Sequence, residues 1–459
     1  MTTAYAQRRD HLLAIVNRAI EAVAPEGAMR KAISRHGDIL NVAGEQYDLT
    51  GFERILVLGA GKASASMARA LEDILGARVL DRLFHDGLVI TKYGHGCDPG
   101  RIRVMEAAHP VPDEAGQRGA EALLDLAATA TERDLVFCLI SGGASALIPA
   151  PQPPVTLAHK QETTSRLLAC GATIDEINAI RKHLSAIKGG HLAKVLEPAT
   201  VLTLIISDVV GDRLDVIGSG PTAPDNATFA DCLDILDRFG LREAVPPQVT
   251  ALLQAGQEGR LPETLGSDDP CFARVRNLII AGNAQALAGA AEAARELGYA
   301  PLVVETSMQG EARQVASDLV CAAMGICGGD GPKPPVCLLA GGETTVTLKD
   351  GGKGGGKGGR NQEMALAAAI RLFESGPDSA RIGMACVGTD GTDGPTDAAG
   401  ALVLPDTLGH CDATGLAAAR RHLDDNDAYT FFSTAGTILK TGPTRTNVMD
   451  IAVILVDPA

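Results

Sequence analysis

Residues 55–62 read Ile-Leu-Val-Leu-Gly-Ala-Gly-Lys, an apolar run that ends in a glycine turn holding a lysine. The stretch from Ala63 to Leu71 is rich in alanine and predicts a helix. A strand turning tightly into a helix brings unpaired backbone N–H groups and the positive end of the helix dipole to one point, a ready anion site. Gly59 and Gly61 let the backbone come close to a ligand, and Lys62 adds a full positive charge. The theme of apolar strand, small-residue turn and Ala-rich helix returns at Ser141-Gly142-Gly143-Ala144-Ser145 and at Ala281-Gly282-Asn283-Ala284. This repetition points to an α/β architecture, in which ligands gather at the carboxyl ends of strands.

A chain of 459 residues exceeds one ordinary core, so two domains are expected. Aromatic residues make up 3% of the chain and the net charge is −15. Both argue against a nucleic-acid partner, which calls for stacking rings and a basic face. A local cationic turn in such a chain suits a small anion. The ten cysteines show no C-x-x-C pair and no zinc spacing, and read as buried free thiols in a reducing cytosol. Near the N-terminus, Leu12, Ile15, Val16, Ala19, Ile20 and Val23 form one helical stripe, unlike a secretory leader. No run reaches the roughly 18–20 apolar residues of a membrane span. A cytoplasmic protein without a membrane partner is the expectation.

Short apolar runs alternate with helical patterns, which predicts βαβ units and a mostly parallel sheet flanked by helices in each domain. The expected strands in the first half are 55–58, 88–91, 103–107, 135–140 and 201–207. Those in the second half are 278–281, 301–305, 336–340, 344–348, 381–387, 429–433 and 451–456. The polar stretch Gly256–Pro270 separates the groups, giving domains at residues 1–258 and 271–459. Asp350–Gly359 is a glycine and lysine loop expected to order around a ligand.

The first turn is no Walker A loop, because Leu56 stands where its leading glycine belongs and Ala63 where Ser or Thr must follow the lysine. As a dinucleotide fingerprint it lacks the third glycine, replaced by Ser64, although Asp81 sits at the distance of a ribose-binding acid. Ser141–Ser145 reads as a second anion cradle or as a helix cap made by Ser141. Asp208 ends an apolar strand, where a carboxylate can hold Mg²⁺ or take a hydroxyl proton; Gly218-Ser219-Gly220-Pro221-Thr222 follows. In the second half, Gly341-Gly342-Glu343-Thr344 precedes Gly358-Gly359-Arg360-Asn361-Gln362-Glu363. Arg360 opens a helix, the wrong end of the dipole for a cation, which makes sense if an anion binds there. The acidic turn with Asp390 and Asp393 lacks the glutamate of an EF-hand, since Ala401 stands at the twelfth position, and reads as Mg²⁺ or substrate contacts or as Asx turns. His109, bracketed by prolines, reads as structural.

Together the segments Gly59–Ala63, His109–Asp113, Ser141–Ser145, Ser207–Asp212, Gly218–Thr222, Gly341–Thr345, Gly358–Glu363 and Gly388–Gly394 resemble the D-glycerate 2-kinase family with a C-terminal MOFRL domain. That resemblance implies a Rossmann-like N-terminal domain, a MOFRL-type C-terminal domain and an active site in the cleft between them. It implies ATP-dependent phosphorylation of the C2 hydroxyl of D-glycerate, with ATP and Mg²⁺ required and a homodimer left open. Lys62, Asp208 and Arg360 take the catalytic positions, with Asp208 and Asp390 as metal ligands. Substrate or nucleotide contacts fall to Gly59, Gly61, Ser141, Gly142, Gly143, Ser145, Ser219, Gly220, Thr222, Glu343, Asn361, Asp390 and Asp393. Two other readings stay open: an NAD(P)H-dependent hydroxypyruvate reductase, a name often attached to members, and a non-catalytic sensor of small phosphorylated acids.

Overall fold

The computed structural model describes residues 3–348, 355–408 and 413–459. Residues 350–354 of the glycine and lysine loop, Lys353 among them, lie outside these, as does Cys411. The chain forms two compact units, Pro25–Ile280 and Met1–Ala24 with Ala281–Ala459. This division differs from the expected one at both ends. The apolar stripe of the N-terminal helix Thr3–Ala22 buries Leu12, Ile15, Val16 and Ala19 within the second unit. There the helix lies so close to helix Asn283–Glu296 that a Cβ on Gly289 would overlap Ala22. The polar stretch Gly256–Pro270 stays in the first unit, tied in where Leu265 N–H donates to Gly189 O and Asp225 N–H donates to Leu265 O.

The first unit opens with a small antiparallel sheet of β1 (Ile33–His36), β2 (Ile39–Val42) and β3 (Glu45–Asp48), which alternation too short to read had hidden. Its main sheet comprises β4 (Arg54–Ala60), β5 (Phe84–Lys92), β6 (Arg103–Ala107), β7 (Asp134–Ser141), β8 (Thr200–Ile206) and β9 (Val275–Ala281). The spatial order is β6-β5-β4-β7-β8-β9, and the pairs β4–β5, β5–β6, β4–β7 and β7–β8 are parallel. All eight residues of β7 are buried, as strands covered by helices on both faces require. A helical layer, Leu157–Ala169, Ile174–His183, Phe229–Arg238 and Pro247–Gln257, packs around Ile177, Phe229, Leu233 and Leu253. Its second helix starts at a Thr173/Glu176 capping box, which the T-x-x-E spacing encodes.

The second unit holds β10 (Ala300–Met308), β11 (Val336–Gly342), β12 (Ile382–Gly388), β13 (Gly400–Val403), β14 (Ile438–Leu439) and β15 (Asp450–Val456). The order is β10-β11-β15-β12-β13-β14. The expectation of a mostly parallel sheet fails here: β10–β11 is parallel, and the other four pairs are antiparallel. The last strand inserts between β11 and β12, and a loop without a helix joins β12 to β13, a connection that favours antiparallel neighbours. Two expected strands are also absent. Residues 344–348 contribute one bridge, Thr345 to Glu311. Residues 429–433 lie in helix Ala428–Ala435, a reminder that a five-residue apolar run has no decisive period.

Candidate functional site

The strand order of the first unit reverses at β4, with β5 and β6 on one side and β7 and β8 on the other. Ligands of open α/β sheets bind outside the carboxyl ends of strands at such a reversal. Register fixes what stands there. Ala60 pairs with Ile140, and Ser141 pairs with Ile206. Lys62, Gly142 and Asp208 each follow two residues after one of these aligned positions, so the three expected segments share one edge of the sheet. Lys62 and Asp208 are both half-buried.

The turns interlock. Lys62 N–H donates to Gly142 O at 2.9 Å, Ala63 N–H to Ser141 Oγ at 2.9 Å and Gly61 N–H to Ile90 O at 3.0 Å. The expected phosphate cradle of turn amides is therefore corrected: these three donors are already paired inside the protein. Gly61 has φ +136°, and a Cβ there would overlap Ser141, so the glycine permits the two loops to touch. Gly59 likewise sits against the backbone of Leu139. Ser64, in place of the third fingerprint glycine, is buried and donates to Gly61 O at 2.9 Å. Gly143 adopts φ +84°, and its missing side chain leaves room for the His109 ring.

Ser145 and Ser219, expected site residues far apart in sequence, meet at 2.9 Å between hydroxyls. Ser219 Oγ also donates to Asn178 Oδ1 at 3.2 Å. Lys188, which sequence reasoning missed, donates from Nζ to the Ser145 carbonyl and hydroxyl, both at 2.5 Å. Gly189 and Gly190 N–H donate to Ser219 O and Gly220 O, locking the two segments together. Thr222 belongs to the scaffold: it is buried, accepts from Thr203 Oγ1 at 3.0 Å and donates to Asn277 Oδ1 at 2.7 Å.

In the second unit Arg360 opens helix Arg360–Glu374 at the ends of β11 and β12. The anion its position called for is supplied by the protein. Arg360 Nε and Nη2 reach the two carboxylate oxygens of Asp450 at 2.5 and 3.0 Å, and Nη1 reaches Glu343. Asp450 is fully buried, and burial, outweighing the opposing pull of Arg360, leaves its carboxyl raised to about 6. Sequence reasoning passed over Asp450, although an acid opening the apolar run 451–456 was a visible signal. Asp393 caps the same helix, accepting from Asn361 N–H at 3.0 Å, Gln362 N–H at 2.8 Å and Gln362 Nε2 at 2.9 Å. Burial raises its carboxyl too. Asn361 also points its side chain at Asp393, so both serve the helix start. Asp390 accepts from Thr392 N–H at 2.9 Å in an Asx turn.

Among the described residues no group of three His, Cys, Asp or Glu side chains could hold a metal. Asp208 and Asp390 stand in different units. The free cysteines at 138, 232, 271, 337 and 386 are buried; Cys321 is exposed, against expectation, and Cys97, Cys170 and Cys327 are partly so. Among the described residues no helix is long and apolar enough to cross a membrane.

These features define a two-domain α/β protein with cationic groups at the carboxyl ends of its strands. Residues 11–254 match the family described as a domain of unknown function (DUF4147), and residues 336–450 match the MOFRL family. The chain is 40% identical over 445 residues to a glycerate 2-kinase of Pyrococcus horikoshii, covering 97% of this chain and 96% of that one. It is 38% identical to a D-glycerate 2-kinase of Thermotoga maritima, covering 96% and 97%. A putative hydroxypyruvate reductase of Agrobacterium vitis is 42% identical over 88% of this chain and 87% of its own. The crystal structure of the Thermotoga maritima glycerate kinase superposes with a TM-score of 0.83 at 36% identity, covering 98% of this chain and 100% of that one. A Pyrococcus horikoshii crystal structure superposes at 0.82 with 39% identity, covering 98% and 99%. The chain belongs to the DUF4147/MOFRL family of these glycerate kinases.

Proposed function

We propose that this enzyme transfers the γ-phosphoryl group of ATP to the C2 hydroxyl of D-glycerate, giving 2-phosphoglycerate and ADP. The observation that carries the reading is Lys62 at the reversal of a Rossmann-like sheet, fastened beside the Ser141–Gly143 loop and level with Asp208. Near full-length similarity to proteins named glycerate 2-kinase supports it.

Phosphoryl transfer is mainly positioning and neutralisation of spread negative charge. The C2 oxygen attacks the γ-phosphorus, the bond to the bridging β–γ oxygen breaks, and ADP leaves. Lys62 faces the charge that develops on the phosphoryl oxygens. Asp208 takes the hydroxyl proton, or would hold Mg²⁺ as one hard carboxylate. A half-buried strand-end carboxylate fits that partial role, and the bound ion would supply charge neutralisation. Asp390 serves as a second carboxylate in the same reading. Arg360 binds a reactant's anionic group by exchanging the exposed Glu343 for it, with Asp450 keeping the guanidinium in place.

The test is purified enzyme with D-glycerate, ATP and Mg²⁺, followed by ADP release, beside hydroxypyruvate with NADH or NADPH. ADP release that requires glycerate supports the kinase. Nicotinamide oxidation without it would replace the kinase with the reductase, and ligand binding without either turnover would leave a sensor.

A further inference from the structure

Behind the 141–145 loop lies a group of cations for which the protein supplies no counter-charge. Lys188 is 2% exposed and its Nζ donates to two oxygens of Ser145. Lys160 is 8% exposed, with Nζ on Leu184 O at 3.0 Å. Arg181 is half-buried on the helix between them. Among the described residues none of the three has a carboxylate oxygen within 4.0 Å. Lys182 makes the contrast plain: equally buried, it is paired with Asp225 at 2.8 Å and Asp215 at 3.5 Å. Burial pushes the Lys188 ammonium well down, and Lys160 and Arg181 push it further; Lys160 falls to about 7, again through burial with Arg181 adding to it. A buried cation without a partner costs stability. Such a group is explained when the missing charge arrives with a ligand.

The surroundings are shaped for this. Gly218, Ser219 and Gly220 have φ of +59°, +62° and +62°, and left-handed backbone at a non-glycine residue carries strain. That strain holds the Ser219 hydroxyl on Ser145, beside the Lys188 amine. We propose that Lys188, backed by Arg181 and Lys160 and aligned by Ser145 and Ser219, forms a subsite for a small oxyanion carried by a reactant, a carboxylate or a phosphoryl group. The inference rests on the kinase reading and adds to Lys62 a second cationic position on the first unit.

The full-length enzyme and its Lys188→Met variant are compared by KM for D-glycerate, KM for ATP, kcat, and melting temperature without ligand. One KM rises about tenfold or more, the loss expected for a buried charge-assisted contact. A rise confined to glycerate assigns the carboxylate, and a rise confined to ATP assigns the phosphoryl group. Lys188→Met gives up two hydrogen bonds to Ser145 but also relieves the burial of an amine without an ion-pair partner, so the two effects offset and the melting temperature without ligand stays near or above that of the wild type. A lower melting temperature with both KM values within twofold of wild type makes Lys188 structural and overturns the proposal. Should Lys188→Met not fold, Arg181→Gln must raise the same KM by a smaller factor; unchanged KM values there overturn the proposal equally. If the wild type releases no ADP with glycerate, the kinase reading fails on its own. The subsite is then read with inorganic phosphate, which must raise the melting temperature of the wild type and not that of Lys188→Met; equal responses overturn it.

Discussion

Replacing Arg360 with methionine tests how the second unit holds its strand ends together. The guanidinium meets both oxygens of Asp450, a carboxylate with no exposed surface, so the variant strands a buried acid. Breaking a buried pair from one side costs about 3–5 kcal/mol. The Glu343 contact adds little, because that side chain is 44% exposed and such pairs contribute about 0–1 kcal/mol. At about 2–4 °C per kcal/mol for a unit of this size, the transition of the second unit falls by roughly 6–20 °C. The loss depends on pH with a definite sign. Burial already lifts Asp450 to about 6, and removal of Arg360 lifts it further, so the folded variant binds a proton that the unfolded chain releases. Stability from that group is present at low pH and disappears as pH rises through its folded value. Calorimetry should therefore show a deficit that is widest near pH 8 and narrows toward pH 5. Arg360→Met combined with Asp450→Leu removes both charges and should recover most of the loss. A deficit under about 1 kcal/mol, or one independent of pH, would refute the view that the arginine carries a buried carboxylate.

Lys62→Ala should keep the fold and lower kcat about 10²–10³-fold, as removal of one preorganised charge at a transition state does; steady-state kinetics with an unchanged kcat would remove its role. Asp393→Ala deletes the acceptor for two helix N–H groups and the Gln362 amide, so a loss of about 1–3 kcal/mol is expected in denaturant titration. Gly61→Ala forces a Cβ onto Ser141 at a left-handed φ, and should abolish turnover while lowering the melting temperature. Retained activity in that variant would mean that the two loops need not touch.

Much of the first unit was legible because the central parallel strands β4, β7 and β8 are largely apolar runs, and β4 through β8 appeared near their expected positions. In the second unit the same alternation predicted parallel pairing, yet pairing direction depends on where β15 inserts, a long-range event that no local period records. The Gly61 turn was read as a place where backbone comes close to a ligand, whereas the group it meets in the fold is Ser141; the approach of His109 to Gly143 left no signal in the sequence. Arg360 was singled out by its misfit with the helix dipole, and the anion that answers it in the fold stands 90 residues away at Asp450. Lys188 escaped notice because a lysine in sequence is assumed solvated, and only tertiary packing buries it.

The central claim is most directly tested by phosphorus and proton magnetic resonance of the product formed from D-glycerate, ATP and Mg²⁺. A phosphorus signal coupled to the single C2 proton is the expected result. Coupling to the two C3 protons, or no new phosphate ester at all, would contradict it.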